Sequence, residues 1–181
     1  LVSDLTGILV GVIGLGVGSH HLNAFENNKD SVVKIVCDFD NKKLIKFKKK
    51  YPKKIFTNNS DLIFKDSDIN IVSIASNDNY HFQQIVTAFK YHKNIFIEKP
   101  ICLNKSQLKK IIDLSKKYPD IKISSNLVLR CNPRFKLLKN KIHNNTFNNI
   151  YYLQADYLWG RPHKLLGWRS KIKEYSLILG S

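Results

Sequence analysis

The chain has 181 residues, of which 43% are hydrophobic and 24% charged, an ordinary composition for a folded domain. This length supplies a real core, in one large domain or in one domain and part of a second. Thirty lysine and arginine residues against 14 acidic residues give a net charge of +16, which excludes an acidic surface and raises the question of a nucleic-acid partner. Because the basic residues are spread along the chain, we predict solvated surface charge, with a basic functional patch as the alternative.

Cysteine usage and hydropathy restrict the class of protein further. Cys37, Cys102 and Cys131 are an odd number without metal-site or disulfide spacing, so we expect reduced thiols in a cytoplasmic protein and no metal site. No run reaches the roughly 18 apolar residues that a membrane span needs, and no basic region precedes the apolar start. The chain contains no methionine, which we interpret as a sign that the sequence is partial.

Apolar runs alternate with amphipathic stretches up to residue 126, a pattern typical of a parallel sheet with crossover helices. The predicted strands are 8–13, 32–37, 55–56, 69–75, 95–97 and 121–125. The predicted helices are 19–26, 41–50, 60–64, 80–92 and 104–117, the last opened by a capping box of Asn104 and Gln107. We therefore predict an α/β fold in which residues 1–126 form a Rossmann-type parallel sheet domain.

The pattern changes after residue 126. A helix is predicted from Pro133 to residue 142, followed by a polar loop over 143–149 and an aromatic-rich strand over 150–159. A lone strand cannot form a stable sheet. Residues 127–181 are therefore predicted to be the incomplete start of a second domain.

A glycine-rich run directly follows the first predicted strand. Gly14, Gly16 and Gly18 allow the backbone to turn tightly and approach a pyrophosphate, while the next helix offers its free N–H groups. The spacing is G-x-G-x-G instead of the usual G-x-G-x-x-G, and Ser19 stands where the third glycine is expected. The run predicts a dinucleotide site, and a plain tight turn is the alternative.

Asp38 ends the second predicted strand, 20 residues after Gly18 (38 − 18). A carboxylate at this point can accept hydrogen bonds from the adenosine ribose hydroxyls and repels a 2′-phosphate, which favours NAD over NADP. The alternative role for Asp38 is a helix cap or a turn residue.

Two further groups of polar residues follow predicted strands, at the edge where open α/β sheets bind ligands. Ser76 and Asn77 are candidate cofactor contacts, and His81 is either a third contact or a structural helix residue. Lys99 can donate a hydrogen bond or relay a proton, and Glu98 can position it. A salt-bridged strand end is the alternative for this pair.

The order of these motifs resembles the glucose–fructose oxidoreductase, inositol dehydrogenase and rhizopine-catabolism (Gfo/Idh/MocA) family over nearly the whole chain. The matching stretches are 11–21, 37–38, 76–81, 98–100 and 126–133. The resemblance implies an N-terminal Rossmann domain and a C-terminal α/β domain with a large open sheet. It also implies oxidation of a sugar or cyclitol hydroxyl, or reduction of the ketone, with NAD or NADP.

The resemblance also assigns roles to residues. Lys99 is implied to be the catalytic lysine. The implied cofactor contacts are Gly14, Gly16, Gly18, Ser19, Asp38, Ser76, Asn77, His81, Glu98 and Asn126. The implied substrate contacts are Arg130, Arg161, Trp168 and Arg169, in stretches similar to members that accompany surface-sugar biosynthesis. In the family, an aspartate and histidine pair on a later helix completes the acid–base site, and neither His143 nor His163 replaces that histidine by its position.

We therefore expect the N-terminal part of an NAD-dependent sugar or cyclitol oxidoreductase that is homo-oligomeric at full length. These 181 residues are expected to bind nucleotide but to lack the full catalytic site. The alternative is a non-enzymatic dinucleotide-binding module or sensor. A more distant third interpretation is a basic nucleic-acid binder with a Rossmann-like fold.

Overall fold

Strands and helices alternate through most of the chain in a computed structural model that describes residues 7–158 and 160–172. The strands are β1 (Ile8–Ile13), β2 (Ser31–Cys37), β3 (Ile55–Thr57), β4 (Ile71–Ile74), β5 (Asn94–Ile97) and β6 (Ile123–Ser125). The helices are α1 (Gly18–Asn27), α2 (Asn41–Lys50), α3 (Asp61–Lys65), α4 (His81–Lys90), α5 (Lys105–Lys117) and α6 (Pro133–His143). Short 3-10 turns cover Asp78–Tyr80, Val128–Cys131, Pro162–Leu165 and Trp168–Lys171.

The six strands form one parallel sheet in the order β3-β2-β1-β4-β5-β6. This order confirms the predicted Rossmann-type domain. The direction of strand addition reverses between β1 and β4, so their C-terminal ends border the crevice where open α/β sheets bind ligands. At this edge the Gly14 N–H donates to the Cys37 carbonyl at 2.7 Å, and the Ala75 N–H donates to the Ile13 carbonyl at 2.8 Å.

Each face of the sheet carries its own apolar core because successive strand residues point to opposite faces. The core on the α1 and α2 face consists of Val10, Val12, Leu15, Leu22, Val33, Val36 and Leu44. The core on the α3, α4 and α5 face is larger and includes Ile63, Phe64, Ile74, Ile85, Phe89, Ile97 and Ile111. Helices therefore pack against both faces of the sheet and stabilise the edge at which the predicted site residues lie.

The predicted bounds agree well where a cap defines them. The Asp40 side chain accepts from Lys42 N and Lys43 N and starts α2 at the predicted residue. The Asn104 Oδ1 accepts from Gln107 N at 3.0 Å, and the Gln107 Oε1 accepts from Leu103 N at 2.9 Å, one residue before the one that a capping box would use. The prediction was less accurate for 80–92, where a 3-10 turn takes the first residue and the left-handed His92 (φ 53°) follows the end of α4.

The region after residue 126 differs from the prediction. Helix α6 forms as predicted but is exposed along its whole length. The predicted strand over 150–159 is wrong for residues 150–158, and residue 159 lies outside the described residues. Within residues 127–158 and 160–172 there is no strand for it to pair with, and an extended run without a neighbour leaves its backbone groups to water. Tyr151 is accordingly 98% exposed. Division of the chain after residue 126 stays a prediction.

No helix within the described ranges combines the length and apolar character needed to cross a membrane.

Gly11 in the middle of β1 offers a test of core packing. A Cβ added there would overlap Cγ2 of Ile63 on α3. We expect Gly11→Ala to lower the free energy of unfolding by about 1–3 kcal/mol, the usual cost of overpacking. Urea denaturation of Gly11→Ala, Ile63→Ala and the double variant measures the coupling. The double variant should lose less stability than the sum of the single variants, and simple additivity would contradict the proposed overlap.

Candidate functional site

The turn between β1 and α1 begins at a position that accepts only glycine without strain. Gly14 has a φ of +94°, and a Cβ added to it would overlap the carbonyl oxygen of Ala75 at the end of β4. The turn therefore packs directly on the neighbouring strand. This contact places the start of α1 at the crevice between β1 and β4.

The other two glycines of the turn have different surroundings. A Cβ on Gly18 would lie 3.0 Å from the Ala75 Cβ, so Gly18 allows α1 to approach the sheet closely. Gly16 is exposed, and a Cβ on it would meet nothing within 4 Å. These are the roles that a dinucleotide-binding turn assigns to its third and second glycines. No neighbouring group of the described protein occupies the space next to Gly16.

Ser19 takes part in the turn itself, and its predicted contact with a cofactor stays a prediction. Its hydroxyl donates to the Gly16 carbonyl at 2.8 Å, which closes the turn from inside. The packing task of a third glycine falls to Gly18 instead, because the turn is one residue shorter than the usual fingerprint.

No side chain caps the N-terminal end of α1, and its first turn contains no acidic residue. The Ser19 and His20 N–H groups donate to the Gly16 and Val17 carbonyls at 3.3 and 2.8 Å. The helix dipole favours negative charge at this point.

Asp38 is buried and only 4% exposed, and it joins the end of β2 to the glycine turn. Its Oδ2 accepts from Leu15 N at 2.6 Å, and its Oδ1 accepts from Asp40 N at 2.8 Å. The Lys43 Nζ lies 3.8 Å from the same Oδ2. Because Asp40 caps α2, Asp38 is not that cap, but the bond from Asp40 N to its Oδ1 is a turn contact, the other part of the alternative. Asp38 also holds the glycine turn through Leu15 N, and its contact with an adenosine ribose stays a prediction.

The residues after β4 are tied into the fold. The Ser76 hydroxyl donates to the Gln84 side chain at 2.7 Å, and Asn77 precedes the 3-10 turn Asp78–Tyr80. His81 is fully buried, with Nδ1 2.7 Å from the Pro100 carbonyl and Nε2 3.1 Å from the Ser76 carbonyl. Of the two roles left open for His81, the geometry favours the structural one. Ser76 and Asn77 border the crevice, and their contact with a cofactor stays a prediction.

Glu98 is the centre of a partly buried polar network that links three strands to α1. Its Oε1 lies 2.9 Å from His21 Nε2 and accepts from Asn126 Nδ2 at 2.7 Å, while its Oε2 accepts from Lys99 N at 3.3 Å. His21 Nδ1 lies 2.9 Å from the Ser73 hydroxyl. Burial alone would raise the pKa of Glu98, but the hydrogen bonds from His21 and Asn126 outweigh it and hold that pKa below its ordinary value.

The hydrogen bonds of this network limit which other groups the Glu98 and Asn126 side chains can bind. Both were predicted as cofactor contacts, and the structure engages both with each other and with His21. An ionised carboxylate that accepts several hydrogen bonds is a poor proton acceptor at neutral pH. Glu98 also accepts from the backbone N–H of Lys99, and its role in positioning the Lys99 side chain stays a prediction.

Lys99 is half-buried at the end of β5, and the peptide bond that joins it to Pro100 is cis. The chain leaves the sheet at this point. His21 contacts Glu98 on one side of the motif, and His81 contacts Pro100 on the other. Both histidines that contact the residues on either side of Lys99 are thus engaged in hydrogen bonds within the fold.

The four predicted substrate contacts lie after β6, outside the sheet. Arg130 is exposed in the 3-10 turn Val128–Cys131, and Arg161 is exposed before Pro162. The Arg169 guanidinium stacks 4.2 Å from the centre of the Trp168 ring. Their contact with a substrate stays a prediction.

Sequence reasoning missed His21, Ser73 and Leu15 as parts of the site. His21 and Phe25 are four residues apart and face the sheet from α1, where the His21 ring also lies 5.1 Å from the Phe96 ring. A histidine on the buried face of an amphipathic helix needs a polar partner. The position of His21 on that face could therefore have indicated a buried hydrogen bond. The partners themselves are 52 and 77 residues away along the chain.

The network predicts a specific pH dependence of stability. Because the folded-state pKa of Glu98 lies below its ordinary value of 4.5, its stabilising contribution is fully present above that pH and is lost as the pH falls further. We expect Glu98→Gln to be less stable than the wild type at pH 7 and to lose stability less steeply below pH 4.5. Urea midpoints across this range measure it, with the exposed Asp113→Asn as the matched control. Parallel curves for wild type and Glu98→Gln would contradict the network.

Comparison with known proteins identifies the family and the relatives of this chain. A family model described as an oxidoreductase family with an NAD-binding Rossmann fold, GFO_IDH_MocA, matches residues 8–125. The myo-inositol 2-dehydrogenase of Thermotoga maritima is 28% identical over 147 residues, which are 80% of this chain and 43% of that protein. An inositol 2-dehydrogenase/D-chiro-inositol 3-dehydrogenase of Lactiplantibacillus plantarum is 31% identical over 112 residues, 60% of this chain and 32% of that protein.

Solved structures show the same fold. The apo scyllo-inositol dehydrogenase of Lactobacillus casei superposes with a TM-score of 0.74 at 22% identity, over 81% of this chain and 44% of that one. The myo-inositol 2-dehydrogenase of Lactobacillus plantarum gives 0.74 at 21% identity, over 80% and 43%. The chain thus spans less than half the length of these relatives. Since the family model covers more than half of the chain, this protein belongs to the GFO_IDH_MocA family of oxidoreductases with an NAD-binding Rossmann fold.

Proposed function

We propose that this chain is the nucleotide-binding part of an NAD-dependent dehydrogenase that acts on a cyclitol or related sugar. The observation that carries the proposal is Gly16, which is exposed in the turn before an uncapped helix although no described neighbour requires a glycine there. Space for a pyrophosphate explains this glycine. The names of the relatives, which include myo-inositol 2-dehydrogenase, support the choice of a cyclitol.

Different residues of the crevice bind different parts of the nucleotide. The turn from Gly14 to Gly18 and the start of α1 bind the pyrophosphate, and Asp38 accepts hydrogen bonds from the adenosine ribose. The close contact of Gly14 and Gly18 with Ala75 makes this surface rigid before the ligand arrives. Less ordering of the chain on binding leaves more of the interaction energy as affinity.

Lys99 is the proposed catalytic residue. When bound, the nicotinamide accepts or returns a hydride at a substrate carbon. The Lys99 ammonium donates a hydrogen bond to the hydroxyl at that carbon and stabilises negative charge as the hydroxyl proton leaves. Glu98, held by His21 and Asn126, fixes the backbone from which this side chain projects.

These 181 residues by themselves are proposed to bind nucleotide without appreciable turnover. Lys99 needs a partner that takes up the proton, and the resemblance implies a histidine for this task. His21 and His81 flank the motif, and the fold uses the ring nitrogens of both in hydrogen bonds. The non-enzymatic binding module, the alternative from the sequence, differs from this proposal only in the activity of the whole protein.

Gly16 gives the first test of the proposal. Gly16→Ala should weaken NADH binding by at least about tenfold, because the new methyl group occupies the space proposed for the pyrophosphate. Calorimetric titration measures the affinity, and urea denaturation should show unchanged or slightly higher stability, since Gly16 lies in open space. Gly160→Ala, which is equally open but outside the turn, is the matched control. Equal NADH affinity for Gly16→Ala and wild type would sink the proposed site.

The second test is turnover. The 181-residue chain should reduce NAD with myo-inositol at a rate lower than a typical dehydrogenase by about 10²–10⁴, the usual contribution of an acid–base group. Absorbance of NADH measures the rate, with saturation by NAD checked by titration in the same sample. A rate of about 1 per second or more would show that the described residues already form a complete acid–base site.

A further inference from the structure

We propose that the exposed face of α2 binds the phosphate backbone of a nucleic acid, independently of base sequence. This surface is separate from the nucleotide site and goes beyond the proposed function. Solvated surface charge was the prediction from the sequence, and a basic functional patch was its alternative. The charge distribution around α2 favours the patch.

Half of the net charge of the protein lies in one short segment. Residues 41–60 contain eight lysines and no aspartate or glutamate, so they contribute +8 (8 − 0) of the net +16. The eight residues are Lys42, Lys43, Lys46, Lys48, Lys49, Lys50, Lys53 and Lys54. Lysines occur along the whole chain, but the excess of positive charge is concentrated here because acidic residues are missing from this segment.

The fold neutralises little of this charge. Lys54 forms an ion pair with Glu26 at 2.6 Å, and the Lys43 Nζ lies 3.8 Å from the Asp38 Oδ2. The other six lysines of the segment take part in no ion pair within the part of the chain that the structure describes. Asp40 caps the start of α2, so its charge lies at one end of the helix. An uncompensated cluster of lysines attracts a polyanion.

Exposed lysines form one row along α2. Leu44 is buried and Phe47 is partly buried, so this side of the helix packs on the sheet. The opposite side carries a row with i, i+4, i+7 spacing, which we call the basic stripe: Lys42, Lys46 and Lys49, all exposed. The stripe spans about 10 Å along the helix axis, which corresponds to about three phosphate steps along one DNA strand.

The basic stripe lies apart from the nucleotide crevice. Helix α2 packs on β3, which is an edge strand of the sheet, whereas the crevice opens between β1 and β4. Strand β2 lies between β3 and β1. A polyanion on the stripe and a nucleotide in the crevice therefore contact different surfaces of the protein.

A nucleic acid fits this surface better than an anionic membrane does. A helix that binds a membrane buries its apolar face in the bilayer, but Leu44 and Phe47 are packed inside the protein. Of the ten residues of α2, Ile45 is the one exposed large apolar residue. A single row of charges matches a linear polyanion, and lysine ammonium groups contact phosphates as point charges without reading the bases.

The experiment measures binding of fluorescent DNA duplexes of about 20 base pairs by anisotropy over a range of salt concentrations. Two duplexes of unrelated sequence are used. The wild type is compared with an α2 variant and an α5 variant, each of which loses three exposed lysines. The substitutions are Lys42→Gln, Lys46→Gln and Lys49→Gln in the α2 variant, and Lys109→Gln, Lys110→Gln and Lys116→Gln in the α5 variant. The α5 variant is the matched control because it makes the same charge change on the other face of the sheet.

We expect the wild type to bind both duplexes equally, with a dissociation constant of about 10⁻⁴–10⁻⁶ M near physiological salt. The plot of the logarithm of the association constant against the logarithm of salt concentration should be shallower by about 3 for the α2 variant, about 1 for each lost phosphate contact. At about 0.1 M salt this variant should bind at least about tenfold more weakly. The α5 variant should change the slope by less than about 1. A thermal melt and an NADH titration should be unchanged in both variants, since the replaced side chains are exposed and lie outside the crevice.

Four results would overturn the inference. If the wild type binds no duplex, or if both variants lose affinity equally, the lysines contribute only the general field of a basic protein. If the two duplexes differ in affinity by more than about tenfold, the binding depends on base sequence. If NADH displaces the duplex, the DNA occupies the crevice. If the α2 variant keeps duplex binding but no longer binds phosphatidylserine vesicles, the partner is an anionic membrane. Failure of the wild type to bind NADH would instead remove the proposed function and leave the result for the duplex unaffected.

Discussion

The close contact between the glycine turn and the end of β4 is the constraint on which the rest of the site depends. Gly14 and Gly18 both approach Ala75, and neither position has room for a side chain without displacement of its neighbours. This contact brings α1 down onto the sheet. As a result, the uncapped start of α1 lies at the crevice, and His21, one turn further along the helix, reaches Ser73 and Glu98.

Two carboxylates, the buried Asp38 and the partly buried Glu98, organise the crevice in different ways. Asp38 joins the ends of β1 and β2 through Leu15 N, and the Lys43 Nζ lies 3.8 Å from its Oδ2. Glu98 is hydrogen-bonded to His21, Asn126 and the backbone N–H of Lys99, so it links α1 to the ends of two strands. A net charge of +16 says little about either group, because short hydrogen bonds in a buried site outweigh the field of distant, screened lysines.

The sheet and its helices were largely predictable because their signals are local. The apolar runs, the cap at Asp40 and the pair Asn104 and Gln107 placed most elements within one or two residues of their observed bounds. The strand expected over 150–159 was wrong for residues 150–158, since an aromatic-rich run has a strand's composition but forms one only beside a partner. Whether a neighbouring strand is present depends on the tertiary structure and cannot be inferred from local composition.

The family, the parallel α/β architecture and the candidate residues at the strand ends follow from the sequence, because glycine spacing and apolar periodicity are local properties of the chain. The contacts of those residues follow from the fold. In the fold, Gly18 packs closely against Ala75, His81 links two carbonyls, and Lys43 lies beside Asp38. Each of these depends on a distance between groups on different elements, which folding sets and residue order alone does not.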